Sequence, residues 1–389
     1  MEGGMGSSDQ GHSMISHADV EKLLGIQAAE RSVLSVYLQV PVDPPALRGL
    51  PARVGELLTL AGGGADGRGA LRARDEDRRM VRRLLEVHAR DWLGHTVAIF
   101  ACSQLGLSEA FPLPCRLPER AVLATRPHVR PLLVALQRCP AYRVAVVDRH
   151  HAWIFSVAAD RVSVVAQPAA EGVRSPAFGG WYGLESHRVH ERITQLARHH
   201  YQDTAAILGQ AMRSGEHEPL VVGGHEEAIP QFLAILPADV GEHFAGSFVV
   251  DPHTMTPAWV RELSGTVIRD WADRREQRLL AQLHQEPPDG LTLIGLRDCL
   301  TAVNQHAVEL LVVPVGGLIP GFACTRRGAL TSTPGGCPDG PAAARPVPDL
   351  IEEMVIQTLG DGGEVAAVPD PPGDVAARAR FPLTRAEGR

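Results

Sequence analysis

Apolar positions change period repeatedly along the chain. Val33–Val40 (VLSVYLQV) and Thr96–Ala101 (TVAIFA) are compact runs rich in β-branched residues and predict strands. Ala18–Leu24, Ala46–Leu60, Ala70–Leu93 and Val129–Leu136 carry helical patterning, and the glycine-rich AGGGADGRG separates the second from the third. From Ala141, YRVAVVDRHHAWIFSVAADRVSVVAQ reads as three β-runs with Ala159–Asp160 as a hairpin tip. Val189, Ile193, Leu196, His200, Thr204, Ile207 and Ala211 then recur at steps of three and four, the apolar stripe of one long helix. Leu220–Gly224 predicts a strand, Ala228–Leu236 a helix, Ser247–Val250 a strand and Pro257–Gln285 a long arginine-rich helix.

The last hundred residues repeat the alternation. Leu296, Leu300 and Val303 form a helical stripe, Glu309–Val315 a strand, and a Gly/Pro/Thr-rich loop runs from Gly316 to Pro348. Asp349 can cap a helix that ends at Gly360, with Glu352 three residues on in the position of a capping box. Glu364–Val368 and Asp374–Phe381 are the final β-runs. Strands and helices alternate throughout, which predicts α/β layers. The expected division is a disordered tail at 1–16, an α/β N-terminal domain at 17–138, a central domain at 139–286 and a C-terminal α/β domain at 287–389.

Composition narrows the function classes. At 389 residues and a net charge of -7, the chain is too acidic to be a general polyanion binder, although a local basic surface remains open to it. Its sole lysine is Lys22, so nearly every cation is an arginine, whose planar fork suits phosphate. No apolar run is long enough to span a bilayer, and residues 1–16 lack the hydrophobic core of a signal peptide. The expectation is a cytoplasmic protein with reduced thiols.

Several motifs invite a chemical reading. The glycines at 62–64 and 67–69 lack the Lys-Ser/Thr of a phosphate loop and predict a surface loop. Gly223–Gly224 lies between a strand and a helix without G-x-G-x-x-G, which favours a tight turn over an anion cradle. His150–His151 and His199–His200 are adjacent pairs; neighbours in a strand or helix do not share a face, so neither pair is a natural chelate. Cys324 and Cys337 (CTRRGALTSTPGGCPDG) resemble a zinc knuckle with Arg327 and Gly340 in place of two ligands, so no metal and no cofactor is expected. The most informative stretch is SPAFGGWYGLESHRVHER, Ser175 to Arg192. Gly179–Gly180 permits backbone geometry other residues resist, and Trp181 and Tyr182 stand next to Arg188, Arg192 and Arg198. Aromatics beside arginines suit bases and phosphates. Packing of both rings onto the domain core is the competing reading, and the pattern leaves both open.

The order of these features resembles the archaeo-eukaryotic class of peptide-chain release factors and Pelota, specifically their bacterial members. PAFGGWYGLESHRVHERITQLARHHYQ occupies the place of that family's Gly-Gly-Gln loop and following helix. LVVGGHEEAIPQFLAILP is similar to the next strand and helix, and GLRDCLTAVNQHAVELLVVPV, the cysteine segment and DLIEEMVIQTLGDGGEVAAV look like the third domain. The resemblance covers roughly residues 140–389. It implies a central RNase H-like mixed sheet and a C-terminal domain like the small kink-turn-binding ribosomal proteins. It also implies a protein that occupies the ribosomal A site in rescue or hibernation, with the ribosome and its RNA as partners and a translational GTPase as a further one, and neither membrane nor DNA. By the resemblance, Gly179, Gly180 and Trp181 stand at the catalytic loop, and Tyr182, Arg188, Arg192 and Arg198 contact RNA. Trp181 replaces the family's glutamine, and an indole has one donor and no acceptor, which weakens peptidyl-tRNA hydrolysis as the activity. Lys22 lacks the context of the lysine-containing stop-codon motif, so stop-codon decoding is not expected. Two other readings stand beside this one: a peptidyl-tRNA hydrolase acting on stalled ribosomes, and a cytosolic α/β ligand binder that has left translation.

Overall fold

The computed structural model describes residues 15–28, 32–61, 68–158, 161–169, 185–213, 218–285 and 291–383. It is a mixed α/β structure, as the alternation of elements predicts, with four sheets among the described residues. Its residues form two compact units; the first runs to Arg138 and resumes at Glu276, and the second is Cys139–Arg275.

The chain enters the first unit through helix α1 (His17–Leu24), closed by a reciprocal capping box between Ser16 and Asp19. Strand β1 (Val33–Gln39), helices α2 (Leu50–Leu60) and α3 (Arg68–His88), and strands β2 (Thr96–Cys102), β3 (Leu107–Leu113) and β4 (Arg120–Ala124) follow. The strands form an antiparallel sheet in the order β3-β2-β1-β4. The strand period of two decides how this sheet is used. Leu34, Val36, Leu38, Val97 and Ile99 face α2 and α3, while Val33, Tyr37, Ala98 and Phe100 face the opposite core. Strands β3 and β4 fill the proline-punctuated stretch in which the sequence shows no strand. Helix α4 (Arg130–Arg138) is buried on every side from Arg130 to Leu136.

The second unit holds β5 (Tyr142–Val147), β6 (Ala152–Ala158), β7 (Arg161–Ala166), α5 (Glu185–Arg213), β8 (Leu220–Gly224), α6 (Ala228–Leu233), α7 (Ala238–Gly241), β9 (Phe244–Val249) and most of α8 (Pro257–Gln285). Its five-stranded mixed sheet has the order β7-β6-β5-β8-β9. β5, β8 and β9 run parallel, and β6 is antiparallel to both β5 and β7. This is a mixed sheet of the kind the resemblance implies for the central segment. Helix α5 buries Ala197, Tyr201, Ala205 and Leu208 on one face of the sheet, and α8 buries Val260 and Ile268 in a second cluster with Val144, Val146 and Phe248. The buried stripe of α5 is rotated from the predicted one, and Ile207 is 37% exposed.

The chain returns to the first unit with β10 (Thr292–Ile294), α9 (Leu296–Asn304), β11 (Val308–Pro314), β12 (Gly321–Cys324), β13 (Leu330–Thr331), β14 (Ala344–Val347), α10 (Leu350–Gly360), β15 (Glu364–Val368) and β16 (Ala376–Ala379). One sheet has the order β10-β16-β11-β15; the loop expected at 316–348 contains a second, small one, β13-β12-β14. The two ends of the chain share one hydrophobic core. Tyr37, Phe100, Leu132 and Val134 belong to the same cluster as Leu300, Leu311, Leu350 and Met354. Gln137 reinforces the join, donating from Nε2 to the Val365 carbonyl and accepting the Ala367 N–H at 2.9 Å, as a strand neighbour of β15 would.

Candidate functional site

Among the residues that the sequence singles out, Gly179, Gly180, Trp181 and Tyr182 lie outside the described residues, as does most of the glycine stretch 62–69. Arg188 and Arg192 lie in the first two turns of α5. At about 100° per residue they are roughly 40° apart around the axis, so they share a face. Arg198 is exposed on the same helix but about 120° round from Arg192. Helical spacing therefore places two of the three arginines on one face and the third on another. His199 is exposed and 3.7 Å from Asp203, whereas His200 is buried, so the pair divides between surface and core as its spacing requires.

Gly223 and Gly224 carry a packing role. A Cβ on Gly223 would lie 2.6 Å from the Phe248 ring, and one on Gly224 only 2.4 Å from the Val147 carbonyl oxygen. The short α6 that follows has no side-chain cap. Cys324 and Cys337 are paired as a disulfide, their Cα atoms 5.8 Å apart. The expectation of reduced thiols thus fails for this pair. The small sheet folds the segment back on itself, and its β12–β14 pairing ends at Cys324 opposite Ala344.

The most strongly built polar cluster joins the two ends of the chain. Asp349 caps α10 by accepting the Ile351 N–H at 3.2 Å, as predicted. Glu352 does not close a capping box. Its carboxylate turns to the N-terminus of α4, accepting the Val129 N–H at 2.5 Å and the Arg130 N–H at 3.1 Å. An anion there satisfies two orphan donors and meets the positive end of the helix dipole. The Arg130 guanidinium is fully buried and sits 2.8 Å from Asp349 Oδ2, and it also donates to the Gly317 carbonyl. His128 Nε2 stands 3.2 Å from Asp349 and 3.5 Å from Glu352. The backbone of His128 is held to β1 by its N–H to Ser35 Oγ at 3.0 Å and by the Tyr37 hydroxyl on its carbonyl.

Among the described residues, His128, Asp349 and Glu352 are the preformed group of three with metal-ligand chemistry. They do not suit a cation. Arg130 already supplies one within bonding distance of Asp349, and two backbone donors occupy Glu352. Burial by itself pushes the Asp349 carboxyl up, but the His128 hydrogen bond, the Arg130 charge and the Ile319 N–H together hold it below its ordinary value. Sequence reading finds Asp349 and Glu352 only as a helix start, because their partners lie more than two hundred residues away.

Next to this cluster, burial pushes the Glu353 carboxyl up, against the pull of Arg126 and Arg345. A carboxyl whose folded value is raised binds its proton more readily in the native state, so ionisation near neutral pH works against folding. Glu353→Gln should therefore raise the melting temperature by about 1–4 °C at pH 7. The gain should vanish at a pH below the ordinary carboxylate range, where Glu353 is protonated in both states.

Comparison with known proteins places the central segment. Residues 127–284 match the model of bacterial archaeo-eukaryotic release factor family 10. Among solved structures, the chain is similar to ribosome-bound archaeal Pelota, described together with ABCE1 (15% identity, 96% of each chain, TM-score 0.42). It is also similar to Saccharomyces cerevisiae Dom34, a termination-like factor of RNA quality control that interacts with Hbs1 (10% identity, 76% of this chain and 81% of that one, TM-score 0.41). Archaeal translation termination factor aRF1 matches at 14% identity over 95% of this chain and 99% of that one, with a TM-score of 0.25. These scores are all below 0.5, so kinship rests on the segment 127–284. No curated protein matches the chain. Among the described residues, no helix is long and apolar enough to cross a membrane.

Proposed function

Starting from a central segment, residues 127–284, that belongs to the bacterial archaeo-eukaryotic release factor family, we propose that this chain is a cytoplasmic, ribosome-associated factor. It occupies the A site of idle or stalled ribosomes and does not decode stop codons. The family match carries the reading. It spans the mixed sheet, the long α5 and the chain between β7 and α5, where the sequence places Gly179–Gly180–Trp181.

The position of the arginines supports an RNA partner. Arg188 lies in the first turn of α5, where a cation opposes the helix dipole. An arriving phosphate reverses that sign, because both the N-terminus and the guanidinium favour an anion. Glycines at 179 and 180 suit a narrow backbone path, and Trp181 with Tyr182 offers faces for unpaired bases. With tryptophan in the glutamine's place, binding rather than hydrolysis of the peptidyl-tRNA ester is the function. The ribosome is the main partner; a translational GTPase is the second.

The test is sedimentation of full-length protein through sucrose gradients from growing and stationary cells. It should travel with ribosomal particles. Arg188→Ala with Arg192→Ala should release it at lower salt, each lost phosphate contact lowering the salt slope by about one. Absence from every ribosomal fraction in both growth states would sink the proposal. Release of labelled peptide from stalled ribosomes, lost on Gly180→Ala, would instead favour hydrolysis.

A further inference from the structure

The parallel strands β5, β8 and β9 end on one rim, the place where open α/β sheets commonly hold ligands. The residues that leave this rim include Asp148 after β5 and His253 after β9. Asp148 is nearly buried, and its Oδ2 stands 3.3 Å from His253 Nε2. The exposed His151 ring meets the His253 ring edge-on, with centroids 5.9 Å apart, and lies 6.0 Å from the Trp153 ring.

Tight turns hold all three residues. The Asp148 N–H donates to the His151 carbonyl at 2.8 Å, and the His253 N–H donates to Asp251 Oδ1 at 2.9 Å. Beneath the rim, α5 supplies His200 and Tyr201, 3% and 1% exposed. Among the described residues, the Tyr201 hydroxyl has no hydrogen-bond partner. A buried polar group left in this state calls for a polar occupant close by.

We infer that Asp148, His151 and His253 form a binding site for a divalent transition ion of the zinc class. Two imidazoles and one carboxylate are an established donor set for such an ion, with water in the open position. Bonds of about 2.0–2.2 Å in a tetrahedral shell put neighbouring donors about 3.3–3.6 Å apart. Asp148 and His253 already stand at that spacing. His151 completes the set by turning its exposed ring about the side-chain torsions. Neighbouring histidines in sequence make poor chelates, but the fold pairs a member of one adjacent pair with a histidine a hundred residues on. The site would also stand at the root of the chain that leads to α5, because His151 bridges Ala169, the last described residue before that helix.

The experiment uses tag-free, full-length protein stripped of metal and titrated with zinc in a calorimeter. One ion per chain should bind. His253→Ala, His151→Ala and Asp148→Asn should each weaken binding by about tenfold or more, with unchanged melting temperatures in the absence of metal. His199→Ala and His284→Ala should leave it unchanged. Nickel should quench part of the tryptophan emission, and that part should be missing in Trp153→Phe. The proposal is overturned if wild-type protein takes up no zinc at micromolar concentration, or if uptake survives both His253→Ala and His151→Ala. Nickel quenching that persists in full in Trp153→Phe would place the ion elsewhere and overturn it as well.

Discussion

Asp349→Ala is expected to cost about 3–5 kcal/mol of folding stability, read from the urea midpoint of the full chain. The substitution leaves Arg130, with no exposed surface, facing a vacancy in place of its carboxylate. It also removes the acceptor for the Ile351 and Ile319 N–H groups. Breaking one side of a buried pair is far costlier than replacing the whole pair, because the surviving charge stays desolvated. Asp349→Asn keeps a cap acceptor and should lose less than Asp349→Ala. Adding Arg130→Met to Asp349→Asn should recover part of that loss by removing the stranded cation. A loss below about 1 kcal/mol for Asp349→Ala would show that the cluster does not hold the two ends of the chain together.

The same residue sets an acid limit. Its carboxyl is depressed in the folded state, so its contribution is complete above the unfolded value, near 3.9 for aspartate. It is lost as pH falls below that through the folded value. Wild-type stability should therefore drop as pH falls below about 4, and Asp349→Asn should flatten that drop.

Gly224→Ala is expected to be the second large effect, about 3–5 kcal/mol. Gly224 has φ of +150°, a region open almost only to glycine, and its new methyl carbon would lie 2.4 Å from the Val147 carbonyl oxygen. That contact is backbone on the neighbouring strand, so relief requires the β5–β8 pairing to open. Gly223→Ala provides the contrast. There the obstacle is the Phe248 ring at 2.6 Å, a side chain that can be cut back. Phe248→Leu should rescue much of the loss in Gly223→Ala and none of it in Gly224→Ala. Equal rescue of both would contradict a backbone clash at Gly224.

Local pattern was sufficient for much of this molecule. The compact β-rich runs that begin near Val33, Thr96, Tyr142, Leu220 and Glu309 are strands, and the long stripes before Arg213 and Gln285 are helices. Each encodes its class through neighbours a few residues away, which is what periodicity records. The failures have a shared cause. Strands β4, β12, β13 and β14 are two to five residues long and β3 carries Pro112 within it, and all of them exist because partner strands complete their hydrogen bonds. Ile207 is exposed because the sheet surface, not the helix alone, selects the buried face of α5.

The chemistry divides along the same line. The order of Gly179–Gly180–Trp181 and the arginines after it is a property of the sequence, and it leads to the family of the central segment. Helical spacing also settles that Arg188 and Arg192 share a face that Arg198 leaves. The sequence by itself cannot place Glu352 at the N-terminus of α4, pair Arg130 with Asp349, or bring Asp148 to His253. Those contacts span from about one hundred to more than two hundred residues. They form only when burial of apolar surface brings distant segments together, and burial then makes each unpaired polar group costly enough to fix its partner.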